Sequence, residues 1–88
     1  MKKTKILVAD DNRNIVELVK MEFEILDYDV VTAFDGEDAL KKIEKENPDL
    51  LILDVMMPKM NGFDVCMKLR DNPKYQNIPI IMLTAKSQ

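Results

Sequence analysis

Apolar residues fall along this chain in short unbroken runs, separated by longer stretches with helical spacing. Lys5–Ala9 is one such run, stopped by Asp10 and Asp11. Residues 30–33, Val-Val-Thr-Ala, are short and rich in β-branched side chains. Leu50, Leu51, Ile52 and Leu53 run straight into Asp54, and Ile80, Ile81, Met82 and Leu83 run into Thr84. Short runs of this kind, bounded by turn residues, predict strands in a buried parallel sheet. Between them the period changes. Over residues 13–26, Ile15, Val16, Val19, Phe23 and Leu26 fall on one side of a helix at about 100° per residue, and predict a core stripe. Leu18, Met21 and Ile25 form a second apolar flank, wider than one core contact needs. That flank is either covered by another element or docks a partner. Residues 37–46 predict a second helix with Ala39, Leu40 and Ile43 inward. Its outer face, Lys41, Lys42, Glu44, Lys45 and Glu46, is a solvated charged surface. Residues 63–70 predict a third helix with Phe63, Cys66, Met67 and Leu69 apolar, ended by Asp71-Asn72-Pro73.

The resulting order is β-α-β-α-β-α-β. Strict alternation implies a parallel sheet with helices on its faces, joined by right-handed crossovers. Asp11 or Asn12 is placed to cap the first helix. The stretch 55–62, holding Pro58 and Gly62, is a loop.

At 88 residues the chain makes one domain, 1–88, and a core this small buries only roughly 60–65% of the unfolded surface. The net charge is −3 and aromatic residues are 6% of the chain, so it has no basic patch or stacking platform for direct nucleic-acid binding. No apolar run approaches the roughly 20 residues that span a membrane. Met1-Lys2-Lys3-Thr4-Lys5 is followed by too short an apolar run for a secretion signal, so a cytoplasmic location is expected. The single Cys66 has no partner within the chain for a disulfide and is expected to be a small core residue. There is no His, which excludes imidazole bases and His-based metal sites.

The polar residues that close the strands carry the candidate chemistry. Asp10 and Asp11 end the first strand and Asp54 the third. In an open parallel sheet ligands bind at that edge. If the two strands are neighbours, three carboxylates converge and repel unless a cation neutralises them. An all-oxygen set favours a hard ion such as Mg²⁺, which retains waters and is often completed by a phosphate. The backbone carbonyl of Met56 is a plausible further ligand. Thr84, ending the fourth strand, offers a hydroxyl to an anionic oxygen. Such a set permits phosphoryl transfer to a carboxylate. Read alone, Asp54 is more simply a turn former, and it is the other strand-end residues that change this.

Three segments together resemble the receiver domain of bacterial two-component response regulators. They are Ile6-Leu7-Val8-Ala9-Asp10-Asp11-Asn12, the stretch from Leu51 through Asp54, Pro58 and Gly62, and Ile78-Pro79-Ile80-Ile81-Met82-Leu83-Thr84-Ala85-Lys86. The resemblance implies a flavodoxin-like (CheY-like) α/β fold with three layers and strand order 2-1-3-4-5. It implies phosphorylation of Asp54 by a sensor histidine kinase or a small phosphodonor. It implies Mg²⁺ held by Asp11, Asp54 and the Met56 carbonyl with Asp10 nearby, and Thr84 as a switch hydroxyl. Pro58 and Gly62 shape the loop, and Leu18, Met21 and Ile25 are candidates for kinase docking. Receiver domains assist their own phosphorylation and are not separate enzymes. Met56 stands where the family tunes dephosphorylation and cannot orient a water, so slow loss of phosphate is expected.

The chain also departs from that pattern. Family members continue with a helix, a strand that brings a phosphate-binding lysine, and a last helix. The expectation is a receiver incomplete at its C-terminus, with four strands and three helices. Its Ile80–Leu83 edge then invites self-association or strand swapping. The competing reading is a structural or engineered flavodoxin-like assembly module with no phosphotransfer. An aspartyl-phosphate phosphatase is disfavoured by Met56, and nucleotide binding by the lack of a Gly-rich phosphate loop.

Overall fold

A computed structural model describes residues 2–83. The elements are β1 (Lys5–Ala9), α1 (Arg13–Ile25), β2 (Asp29–Ala33), α2 (Gly36–Glu46), β3 (Leu50–Asp54), α3 (Gly62–Arg70) and β4 (Ile80–Leu83). Each helix begins on a side chain suited to the task. Asn12 accepts from the Asn14 and Ile15 amides, Asp35 from Asp38, and Asn61 from Asp64. Of the two candidate caps for α1, Asn12 is the one used. Asn47 closes α2 with φ 49, a left-handed geometry that Asn tolerates. Arg70 donates to the Tyr75, Gln76 and Ile78 carbonyls and so pins the connection from α3 into β4.

The four strands form one parallel sheet in the order β2-β1-β3-β4. This is the described part of the order expected from the sequence. Period-two alternation divides the strand side chains between two helix layers. Leu7, Ala9, Leu51 and Leu53 pack with Ala39 and Ile43 of α2 and Val65 and Leu69 of α3. Ile6, Val8 and Ile52 pack on the opposite face, with Val19 and Phe23 of α1 and with Tyr28. Phe23 and Tyr28 meet edge to face at 5.7 Å between centroids. β1 and β3 lie in the middle, which explains why neither alternates apolar with polar.

Several side chains sit differently from the sequence expectation. Ile15 and Leu26, placed on the core stripe of α1, are 40% and 66% exposed. The helix is apolar over more than half its circumference, so periodicity alone does not select the buried side. Val16, Val19 and Phe23 do the packing, and Leu26 lies past the last helical residue as the C-cap. On α3 the buried pair is Val65 and Leu69, while Phe63 and Met67 face outward. Cys66 is half-buried, beside Phe63, Met67 and Arg70, and is not a core residue.

Candidate functional site

β1 and β3 pair in register, with Ala9 opposite Leu53, so the residues that follow them emerge side by side. One carboxylate oxygen from each of Asp10, Asp11 and Asp54 lies within 4.8 Å of the other two. Asp10 is 5% exposed and Asp54 9%, whereas Asp11 is open to solvent. The three carboxylates predicted to converge therefore do, at the C-terminal edge of the sheet.

Backbone amides hold two of them in place. Asp10 Oδ1 accepts from the Asn12 amide at 2.9 Å, and the Asp10 amide donates to the Ala33 carbonyl at 3.2 Å. Asp54 Oδ1 accepts from the Met56 amide at 3.3 Å. These bonds fix the carboxylates without supplying a countercharge. Burial pushes the Asp10 carboxyl above the usual range, and the nearby charges of Asp54 and Asp11 push the same way, against the lowering effect of the Asn12 amide. Charge crowding of this kind in an all-oxygen pocket is what a hard divalent cation relieves, so the donor set fits Mg²⁺.

The loop after Asp54 is tightly folded. The Met60 amide donates to the Pro58 carbonyl at 2.7 Å, with Lys59 between them at φ 67. The Gly62 amide donates to the Val55 carbonyl at 3.0 Å. A Cβ on Gly62 would collide with the backbone oxygen of Asp54 itself. The absence of a side chain on Gly62 thus lets the loop close against the strand end. Met56 carries its side chain outward, 63% exposed. Leu18, Met21 and Ile25 lie on the outside of α1, exposed by 55, 55 and 77%. Thr84 falls outside the described residues.

Sequence reasoning reads Asp35-Gly36 as a loop with a cap, which it is, but does not reveal what that loop touches. The Phe34 ring lies under the Arg13 guanidinium at 4.1 Å. Asp35 pairs with Lys59 at 3.7 Å. Gly36 is buried against the backbone of Met60. The only sequence signal was Asp35-Gly36, which reads as an ordinary helix start.

An open parallel sheet with a buried carboxylate at the end of a central strand, flanked by two more, defines a class of acidic-pocket α/β domains. Comparison with known proteins narrows the class. The response regulator receiver domain family matches residues 6–88. The chain is 54% identical over 84 residues to the alkaline phosphatase synthesis transcriptional regulatory protein PhoP of Bacillus subtilis, covering 96% of this chain and 34% of that one. A putative response regulator from Chloroflexus aurantiacus superposes with a TM-score of 0.92 at 36% identity, over 99% of this chain and 71% of that one. The response regulator TrrA of Thermotoga maritima, solved in complex with Mg(2+)-BeF, gives a TM-score of 0.87 at 45% identity, over 98% of this chain and 72% of that one. This chain belongs to the response regulator receiver domain family. It spans about a third of the length of these curated relatives.

Proposed function

We propose that this chain is a phosphoacceptor in which Asp54 takes a phosphoryl group from a sensor histidine kinase or a small acyl phosphate. The observation that carries the reading is the buried Asp54 carboxylate at the end of β3, with Asp10 and Asp11 within 4.8 Å. The Asp54 carboxylate attacks phosphorus, an acyl phosphate forms, and the imidazole or carboxylate of the donor departs. The Met56 amide holds Oδ1 and so orients the nucleophile. Asp10, Asp11, Asp54 and the Met56 carbonyl are the groups that would hold Mg²⁺. When bound, that ion neutralises charge on the transferring phosphoryl group. Thr84 is proposed as the hydroxyl donor that answers the new charge.

The exposed stripe of Leu18, Met21 and Ile25 is proposed as the surface that docks the kinase, in the cytoplasm. The same reading makes the domain a substrate that assists its own modification rather than a separate enzyme. The outer edge of β4, with Ile81 49% exposed, is proposed as a site of self-pairing.

The direct test is incubation with acetyl phosphate and Mg²⁺, read by intact mass. Wild type is expected to gain the mass of one phosphoryl group. Asp54→Asn and chelator-treated wild type are expected to gain none. Equal labelling of Asp54→Asn would refute the assignment.

A further inference from the structure

We propose that Gly36, in the connection between β2 and α2, is a positioning residue that sets the shape of the loop following Asp54. The inference rests on the phosphoacceptor reading and extends it to a residue that takes no part in holding the phosphoryl group or the metal.

Three consecutive residues of this connection reach the surroundings of the acidic pocket, Phe34 on the side of Arg13, and Asp35 and Gly36 on the loop that follows Asp54. Phe34 stacks under Arg13, which follows Asp11 by two. Asp35 does two jobs, capping α2 through Oδ1 at 2.8 Å and pairing with Lys59 through Oδ2 at 3.7 Å. The Lys59 side chain is 61% exposed, so that pair contributes little energy by itself. Gly36 makes the firmest contact. A Cβ there would run into the Met60 carbonyl oxygen, and would lie 2.6 Å from the Met60 Cβ and 2.7 Å from its carbonyl carbon.

Those neighbours are mostly backbone, so rotating a side chain does not make room. Met60 closes the turn whose centre, Lys59, sits at φ 67. The 55–62 loop is therefore clamped at two points, by Gly62 against the Asp54 carbonyl and by Gly36 against Met60. The proposed ligand carbonyl of Met56 and the amide that holds Asp54 Oδ1 lie in the same loop. Pushing Met60 away moves both.

Local propensity predicts the opposite outcome for a substitution. Gly36 has no positive φ and is the first residue of α2, where Ala is the better helix former. If only the helix mattered, Gly36→Ala would be neutral or stabilising. A loss at the metal site would come from the contact with Met60.

The test compares wild type, Gly36→Ala, Met60→Gly and the double variant, with Mg²⁺ affinity by calorimetry and helix content by circular dichroism. Gly36→Ala is expected to weaken Mg²⁺ about tenfold, the size of effect produced by groups that orient metal ligands, with helix content retained. Met60→Gly loosens the clamp without a collision and is expected to weaken Mg²⁺ by a few fold. In that background Gly36→Ala should still weaken Mg²⁺ further, because the carbonyl of residue 60 that its Cβ meets remains in place. An unchanged Mg²⁺ dissociation constant in Gly36→Ala overturns the proposal. If Gly36→Ala does not fold, an unchanged constant in Met60→Gly overturns it. If wild type binds Mg²⁺ yet accepts nothing from acetyl phosphate, the phosphoacceptor reading falls, and the metal constants still decide the role of Gly36.

Discussion

Asp10→Asn is the substitution that isolates charge from shape in the acidic pocket. The amide keeps an acceptor for the Asn12 N–H and nearly the same volume, and it removes one negative charge. At 4.8 Å two unit charges repel by roughly 3–4 kcal/mol at an effective permittivity of about 20. Solvent around Asp11 reduces its share and partly screens the others, while burial of Asp10 and the nearby Asp54 charge both act against its ionised form. The metal-free variant is therefore expected to be more stable than wild type at neutral pH by about 1–2 kcal/mol, or ~4–16 °C in Tm for a domain this small. The sign with pH follows from the raised pKa of Asp10. A carboxyl that holds its proton more tightly when folded stabilises the fold fully below its ordinary value of 3.8. That contribution is lost as pH rises through the raised value. The advantage of Asp10→Asn should thus be present at pH 7 and vanish near about pH 3. Saturating Mg²⁺ should reverse the ranking. At one hundred times its dissociation constant it adds about 2.7 kcal/mol to wild type, and it should add far less to the variant. The assay is thermal melting by circular dichroism, with chelator and with Mg²⁺, at the two pH values. A variant less stable than wild type at pH 7 without metal would refute the claim that the pocket is electrostatically strained. So would an advantage that persists undiminished at pH 3.

Two further outcomes concern other parts of the site and surface. Met56→Asn places an amide where the exposed Met56 side chain stands, able to orient a water toward the acyl phosphate. It should shorten the lifetime of labelled protein several-fold, measured by loss of the phosphoryl mass after donor removal, and an unchanged lifetime would refute a role for residue 56 in hydrolysis. Ile81→Lys sets a charge on the exposed β4 edge and should shift a self-associated population toward monomer by light scattering at micromolar concentration. A wild type that is already monomeric, with sharp cooperative unfolding, would refute self-pairing.

Much of this molecule could be read from local pattern. The four apolar runs, the cap at Asn12 and the stop after Arg70 depend on residues a few positions apart, and the sequence expectation lies close to the observed bounds. The convergence of Asp10, Asp11 and Asp54 needed only the step from alternation to a parallel sheet. What stayed hidden depends on contacts between segments far apart in sequence. Ile15 and Val16 are both apolar, and only the seating of α1 over β1 and β2 decides that Val16 is buried and Ile15 is not. On α3 the apolar residues surround the helix, and only its seating against the core decides that Val65 and Leu69 are buried while Phe63 and Met67 are not. Gly36 carries no local mark at all, since its role exists only where one loop touches another.

The register that sets Ala9 against Leu53 also ties the chemistry to the order in which the chain assembles. Asp10 and Asp54 are neighbours only after β1 has closed on β3 across the intervening α1, β2 and α2, a non-local pairing that forms late relative to local helices. A nascent or partly melted chain therefore has no pocket, only scattered aspartates. On the phosphoacceptor reading, a copy in which β1 and β3 have not paired has no site to be labelled.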